Sequence, residues 1–355
     1  PYDNGAGFVY DSANYPLLLD TLEKSGDYKE VIEWKEKFNR ESIQKNSSFV
    51  AGLGICTEIE DTGSQFTESA RLVMDARGNF VLFTGSSPHG QGLETTLAQL
   101  VSQELDIPLE KVRVVYGDTD LIPMGTGTFG SRSAAAGGSA AVEVARKLKT
   151  QFLENAKING DKIQIDQRNG VKSSSGDSMT IGEFLARLGV SEISSSTEFR
   201  MSAPTFASGA HLCALVLDRE SGKIEIKRYV AVDDAGRVIN KAIVDGQIHG
   251  GVIHGIGGAI YEELLFDSEG HMLTSSFMDY LIPSSMESPD VEVYHVETPS
   301  MITLNGARGV GESGTIAAYP AVFNALNDAL SAIGDSELNF APATPEVIHS
   351  HISKS

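Results

Sequence analysis

The segment Gly306-Ala307-Arg308-Gly309-Val310-Gly311-Glu312-Ser313-Gly314 sets one carboxylate among four glycines. Glycine carries no side chain and tolerates positive φ, so a ligand can touch the main chain on either side of Glu312. Behind it, Ile316, Ala317, Val322, Phe323, Leu326 and Leu330 recur at near-helical spacing. Ser313 reads as the N-cap, with Pro320 in the opening turns. A carboxylate at a helix N-terminus is held ionised by the helix dipole. Taken alone, the segment reads equally as a helix cap and as a site for a general base.

Three further constellations place polar groups before helix-like runs. His89-Gly90-Gln91-Gly92 precedes Leu93, Leu97, Leu100, Val101 and Leu105. Free backbone N–H groups collect at such a point, and Gln91 adds an amide that both donates and accepts. Gly125-Thr126-Gly127-Thr128-Phe129-Gly130-Ser131-Arg132-Ser133 offers hydroxyls, a cation and bare backbone before another helical run, the composition of a phosphate cradle. It also spells G-x-G-x-x-G. Residues 118–124 separate those glycines from the strand expected at 112–116, so the dinucleotide fingerprint, and a nicotinamide-dependent enzyme with it, is disfavoured. In Asp245-Gly246-Gln247-Ile248-His249-Gly250-Gly251, Gln247 is expected at a helix start. His249 and His254 lack the spacing of a zinc helix.

These motifs need a scaffold. Residues 12–43 read as one helix capped by Asn14. Hairpins are expected at 71–84, turning at Asp75-Ala76-Arg77-Gly78, and at 211–232, turning at Gly222. Each hairpin is followed by a glycine-rich turn and a helix, which predicts an α+β fold of two similar lobes with antiparallel sheets. The expected organisation is a helical segment 1–48, a first cofactor-binding lobe 49–200 and a second lobe 201–355 carrying Glu312. Residues 173–177 and 194–197 read as surface loops. The 355 residues carry a net charge of −20, which disfavours nucleic acid and anionic membranes as partners. No apolar run is long enough to cross a bilayer, and the first residues lack signal-peptide features. The two cysteines, Cys56 and Cys213, form no metal pattern and no disulfide framework, consistent with a cytoplasmic setting.

Several motifs resemble those of the molybdenum subunit of the xanthine dehydrogenase, aldehyde oxidoreductase and aerobic carbon monoxide dehydrogenase family, in its C-terminal half. They are Gly90-Gln91-Gly92 with Glu94-Thr95-Thr96, Gly117-Asp118-Thr119, Gly127 through Ser133, Gly246-Gln247-Ile248-His249-Gly250, Met278-Asp279-Tyr280-Leu281-Ile282-Pro283 and Gly309-Val310-Gly311-Glu312. The match runs nearly end to end and leans towards the carbon monoxide and aldehyde-type members.

The resemblance implies a molybdenum-molybdopterin cofactor contacted by Gly90, Gln91, Gly92, Thr128, Phe129, Gly130, Ser131, Arg132, Ser133 and Gln247. Val310 and Gly311 would bring backbone to the molybdenum. Glu312 would be the catalytic base, removing a proton from a molybdenum-bound hydroxyl. Arg132 would pair with a second phosphate, favouring the cytosine dinucleotide form. The implied substrate is an aldehyde, carbon monoxide or an aromatic N-heterocycle. The family's upstream half is absent from this sequence, so the expectation is one half of a split molybdenum subunit, inactive without the other half and without FAD and iron-sulfur subunits. Cys56-Thr57 stands where some relatives place Phe-Thr, although Cys56 itself reads as an ordinary strand residue. The competing reading is a non-catalytic cofactor-binding or maturation module, which would have no physical need for a glycine-flanked carboxylate.

Overall fold

The computed structural model describes residues 1–63, 67–122, 124–157, 163–166, 170–173 and 178–353. Residues 174–177, within one expected loop, lie outside them. The N-terminus forms a two-residue pair, β1 (Tyr2–Asp3) with β2 (Val9–Tyr10), then helices α1 (Tyr15–Ser25) and α2 (Tyr28–Gln44). The single helix expected over 12–43 is thus two, because Gly26 caps α1 and Asp27 turns with φ +47°. Asn14 caps α1 as expected, its side chain accepting from Leu17 N–H.

Two four-stranded sheets follow. The first contains β4 (Thr67–Asp75), β5 (Phe80–Thr84), β6 (Val112–Val115) and β10 (Glu192–Arg200), in the order β10-β4-β5-β6. The second contains β3 (Phe49–Thr62), β11 (Thr205–Asp218), β12 (Ile224–Asp234) and β13 (Val291–His295), in the order β13-β12-β11-β3. Both expected hairpins are present as antiparallel pairs, β4 with β5 and β11 with β12. Each hairpin leads to a helix, α3 (Leu93–Leu105) or α6 (Lys241–Ile260), and then to a strand that joins the sheet edge in parallel. The sheets are therefore mixed rather than purely antiparallel, since a helix crossover returns the chain in the same direction. The second helix of each half is α4 (Gly138–Lys157) or α7 (Ser313–Ala332). A small sheet of β7 (Ile163–Asp166), β8 (Gly170–Ser173) and β9 (Ser178–Met179), with α5 (Ile181–Leu188), completes the first half, and α8 (Pro345–Ile352) the second.

Two expectations are corrected. Residues 194–197 are strand, not loop: they lie in β10, paired with β4 at the sheet edge, where half-exposed serines are tolerated and only Ile193 and Thr197 are buried. Residues 49–62 open the expected first lobe, yet they pair along their whole length with β11 in the second sheet. The strand's own residues explain this, because Gly52 and Gly54 leave room for α7. A Cβ at Gly52 would lie 2.0 Å from the carbonyl oxygen of Ala325, and one at Gly54 2.3 Å from that of Ala321.

The two sheets are joined by a pair of chains. Thr62 pairs with Thr205 at the end of one sheet, and Thr67 with Arg200 at the start of the other. One core packs α3, α4 and α5 on the first sheet through Leu72, Leu82, Leu97, Val101, Leu148 and Leu185. A second packs α6 and α7 on the second sheet through Leu215, Tyr229, Ile248, Val252, Val322 and Leu326. The opposite face of that sheet is covered by Leu18 and Leu22 of α1, which is why β11 is buried on both sides. No helix among the described residues is long and apolar enough to cross a membrane.

Candidate active site

The loops before the four sheet-packing helices converge on one cleft. Its walls include Gln91 before α3, residues 128–133 before α4, Arg237, Asn240 and Gln247 around the start of α6, and residues 307–312 before α7. Of the sequence-predicted site residues, all but Gly90 and Gly92 line it. Those two shape the turn that presents Gln91, with φ +111° and +71°. Helix N-termini carry unsatisfied N–H groups and a partial positive charge, so a cleft built from them favours an anionic, hydrogen-bonding ligand.

Gln91 is directed by its own loop. Its Oε1 accepts from His89 N–H at 2.7 Å, while its Nε2 is buried without a partner. An unpaired buried donor is costly, and a ligand acceptor in the cleft would satisfy it. In the second loop, Ser131 sits at φ +48°, unusual for a residue with a Cβ. That turn aims its hydroxyl at Glu312 Oε2, 2.7 Å away. Thr128 and Ser133 hydroxyls lie 2.9 Å apart, and Thr128 also donates to Ser87 O. Ser133 opens a wide π-helical turn, Ser133–Gly137, ahead of α4. Phe129 stays exposed at the rim. Gln247 lies in the second turn of α6, not at its start, because Asn240 is the cap. A Cβ on Gly311 would be 3.6 Å from Gln247 Oε1, so the amide and the bare backbone share one corner of the cleft.

Arg132 does not serve as expected. Its guanidinium is fully buried, donating to Glu68 at 2.7 Å, to Gly127 O at 2.8 Å and to Thr67 O at 2.7 Å. Glu68 accepts in turn from Ser86 Oγ and Ser69 N–H. Arg132 therefore ties the 127–133 loop to β4 and turns its charge away from a phosphate. Arg237 also lines the cleft and donates to Gln103 at 2.7 Å. Nothing in the spacing around Arg237 singles it out in the sequence.

Glu312 occupies the cap position of α7, one residue earlier than expected, and its side chain makes no capping bond. Ser313 is instead the first helical residue, its buried hydroxyl lying 2.7 Å from Glu58 and in contact with Asp233. Pro320 is well inside the helix. Two chain features fix Glu312 from below. Gly309 N–H donates to Thr62 Oγ1, and Gly63 N–H to Gly130 O, so both loops rest on the crossing between the sheets. A Cβ on Gly309 would lie 2.0 Å from Ser131 O, which shows how closely the loops abut. Arg308 turns away from the carboxylate to Ser12 and faces Asp11 and Asp234.

Beneath Glu312 the sequence reading missed two buried carboxyls, Glu58 and Glu60. Alternation along β3 puts them on the same face as the glycines that seat α7. Burial, reduced by the bond from Ser313 and reinforced by Asp233, pushes Glu58 up to about 8. Burial together with the adjacent Glu312 pushes Glu60 up to about 9. The Glu-Ile-Glu spelling at 58–60 was the available signal. Cys56, half-buried on the same strand, packs against the second core.

The fold and cleft define a two-sheet α+β protein that presents helix N-termini, amides and one open carboxylate to a large anionic cofactor. The chain belongs to the molybdopterin cofactor-binding domain family, whose model matches residues 21–289. It is 32% identical over 98% of its length to the nicotine 6-hydroxylase large subunit of Paenarthrobacter nicotinovorans. It is 30% identical over 96% to the carbon monoxide dehydrogenase large chain of Hydrogenophaga pseudoflava. In each case it spans 45% of the relative's length. Among solved structures, a Cu,Mo-CO dehydrogenase superposes with a TM-score of 0.88 at 28% identity, covering 98% of this chain and 46% of that one. Quinoline 2-oxidoreductase from Pseudomonas putida 86 gives 0.87 at 28% identity, covering 100% and 48%. The chain corresponds to the C-terminal half of a molybdenum hydroxylase large subunit.

Proposed function

We propose that this chain is the cofactor-binding and base-bearing half of a molybdenum hydroxylase that oxidises an aldehyde, carbon monoxide or an aromatic N-heterocycle with oxygen derived from water. The observation that carries the reading is Glu312 itself, held by Ser131 at 2.7 Å and open to a cleft made of four helix N-termini. The residues fit a molybdopterin: the unpaired Nε2 of Gln91 needs an acceptor, and the Val310-Gly311 backbone lies open beside Gln247. Gln91, Gln247 and the backbone of 128–133 would hold the pterin, with Gly90 and Gly92 shaping the turn. Arg237 is the cation placed for a phosphate, in a mononucleotide or a cytosine dinucleotide form. When bound, the molybdenum centre supplies the two-electron oxidation. Glu312 then takes the proton released at the reacting oxygen, a role that requires an ionised carboxylate within hydrogen-bond reach. Ser131 fixes its rotamer and Thr62 fixes the backbone beneath it.

The remaining half of the relatives' length would be supplied by a companion molybdenum-subunit portion. FAD and iron-sulfur chains would carry the electrons onward, in the cytoplasm. Isolation from native cells tests this. Near-stoichiometric molybdenum, with companion chains identified by mass, is the expected result, and no molybdenum and no companions would sink it.

A further inference from the structure

β3 is a 14-residue strand at the edge of the second sheet, with β11 on one side and, among the described residues, no strand on the other. Its register with β11 is unbroken, so alternate residues turn their N–H and C=O groups outward along the free edge. Ala51 identifies the outward set: its N–H donates to Asn39 Oδ1 at 2.7 Å, and its C=O accepts from Asn39 Nδ2 at 3.0 Å. Leu53 N–H then donates to Asp328, and Ile55 O accepts from Asn324. Side chains of α2 and α7 thus occupy the edge from Ala51 to Ile55. Farther along, Gly63 N–H donates to Gly130 O. Between these closures lie the outward residues Thr57, Ile59 and Asp61, all exposed, Ile59 at 43%. Among the described residues their N–H groups have no hydrogen-bond partner, nor have the carbonyls of Ile59 and Asp61, while the Cys56 thiol reaches Thr57 O at 3.3 Å. The α7 sequence explains the change. Asp328 and Asn324, one turn apart, supply polar caps, whereas the next turns of that side, towards Glu312, carry Pro320 and the exposed Ile316, which have none to offer. A free row of strand amides is a template for another strand, and of the three residues here Asp61 alone is charged.

We propose that the 57–61 edge of β3 pairs with an extended segment of the companion molybdenum-subunit portion, adding a strand to the second sheet beside the cofactor cleft. The choice of occupant rests on the proposed function, and two observations support it. The chain spans 45% of its relatives' length, so more than half of such a subunit has to find a seat against this half. In the relatives that remainder lies upstream of the part matched here, and the N-terminal β1–β2 pair packs at this end of the sheet. The ring of Tyr10 lies 4.7 Å from that of Phe206, the register partner of Asp61. Pairing would satisfy the free N–H and C=O groups, and strand alternation sets the guest's side chains. Those on one face would meet the Pro320 and Ile316 side of α7, and those on the other would lie beside Ile59. An apolar segment without acidic residues fits, since Asp61 and the net charge of −20 disfavour a carboxylate there. The guest strand would end at the Gly63–Gly130 contact that supports the Ser131 loop, which sets the companion next to Glu312.

The test is residue-level hydrogen–deuterium exchange on the protein isolated from its native cells with the chains that accompany it. The amides of Thr57, Ile59 and Asp61 are expected to exchange about a hundredfold or more slowly than in an unstructured chain. Ile59→Pro removes an outward N–H and no ladder bond, a change that a strand edge tolerates. The companion chain recovered with this variant is expected to fall about tenfold. The exchange measurement needs no variant, so it decides the matter if Ile59→Pro does not fold. Molybdenum and a companion chain present, with the three amides exchanging as in a free chain, overturns the edge pairing and leaves the proposed function standing. Undiminished companion recovery in Ile59→Pro also overturns the pairing alone. Protection of these amides in an assembly of this chain with itself would make a second copy the occupant and overturn it as well. No companion and no molybdenum overturns both.

Discussion

Replacing Arg132 by methionine separates two roles for this side chain, cofactor contact and internal strut. Methionine matches much of its length and removes the charge. The bonds to Glu68, Gly127 O and Thr67 O go with it, and Glu68 stays 0% exposed with, among the described residues, Ser86 and Ser69 to stabilise it. Removing one partner of a buried ion pair costs about 3–5 kcal/mol, a large part of the about 5–15 kcal/mol that holds a typical domain together. Replacing Glu68 by methionine as well removes the stranded charge, so the double variant is expected to recover most of the loss. Urea unfolding of native, single and double variants gives the coupling directly. If Arg132→Met unfolds at the native midpoint while the protein loses its molybdenum, the guanidinium serves the cofactor and the strut assignment is refuted.

Glu312→Gln is expected to keep the cofactor and lower kcat about a hundred- to ten-thousand-fold, the range of a lost general base; molybdenum content beside turnover checks both halves. Gly309→Ala would push a methyl against Ser131 O, 2.0 Å away, so about 1–3 kcal/mol of destabilisation is expected with loss of the Ser131–Glu312 bond, measured by thermal unfolding and cofactor retention. Stability also responds to pH. Glu58 and Glu60 rise from 4.5 to about 8 and about 9 on folding, so the native state binds more protons than the unfolded one between those limits. Their environment imposes no penalty below pH 4.5, and stability falls as pH rises towards 9. By pH 7 the loss is about 3 kcal/mol for each group, and Glu60→Gln is expected to remove its share. A urea midpoint that does not move with pH over this window would contradict the buried assignment.

Much of the site was legible because its signals are local. Glycine before an amphipathic run marks a helix N-terminus, and four such points carried Gln91, the 128–133 loop, Gln247 and Glu312. The hairpins at 71–84 and 211–232 were equally local, each announced by its turn. What escaped was set by distance along the chain. Arg132 looked like a phosphate ligand because its true partner, Glu68, is remote in sequence and itself unremarkable. Glu58 and Glu60 alternate with exposed Thr57 and Ile59, a pattern that does not say which face is buried. Only the pairing of β3 with β11 and the seating of α7 decide that. The same long-range pairing put residues 49–62 in the second sheet rather than the first. The serines of 194–197 read as loop because an edge strand tolerates polar residues that a central strand would not.

The two-chain crossing between the sheets makes residues 67–200 an insertion within the second sheet, bracketed by the pairing of Thr62 with Thr205. During synthesis, β3 emerges early and waits for β11, while the whole inserted sheet can form in the meantime from closer contacts. The cradle around Glu312 therefore forms last, when α7 arrives to lie along a strand made more than 250 residues before it. A chain stalled or cut short of α7 would still carry a folded inserted sheet and the Ser131 turn, with Glu58 and Glu60 uncovered and free to ionise. The proton uptake of the finished site is thus a late event of folding, driven by the helix that brings Glu312 with it.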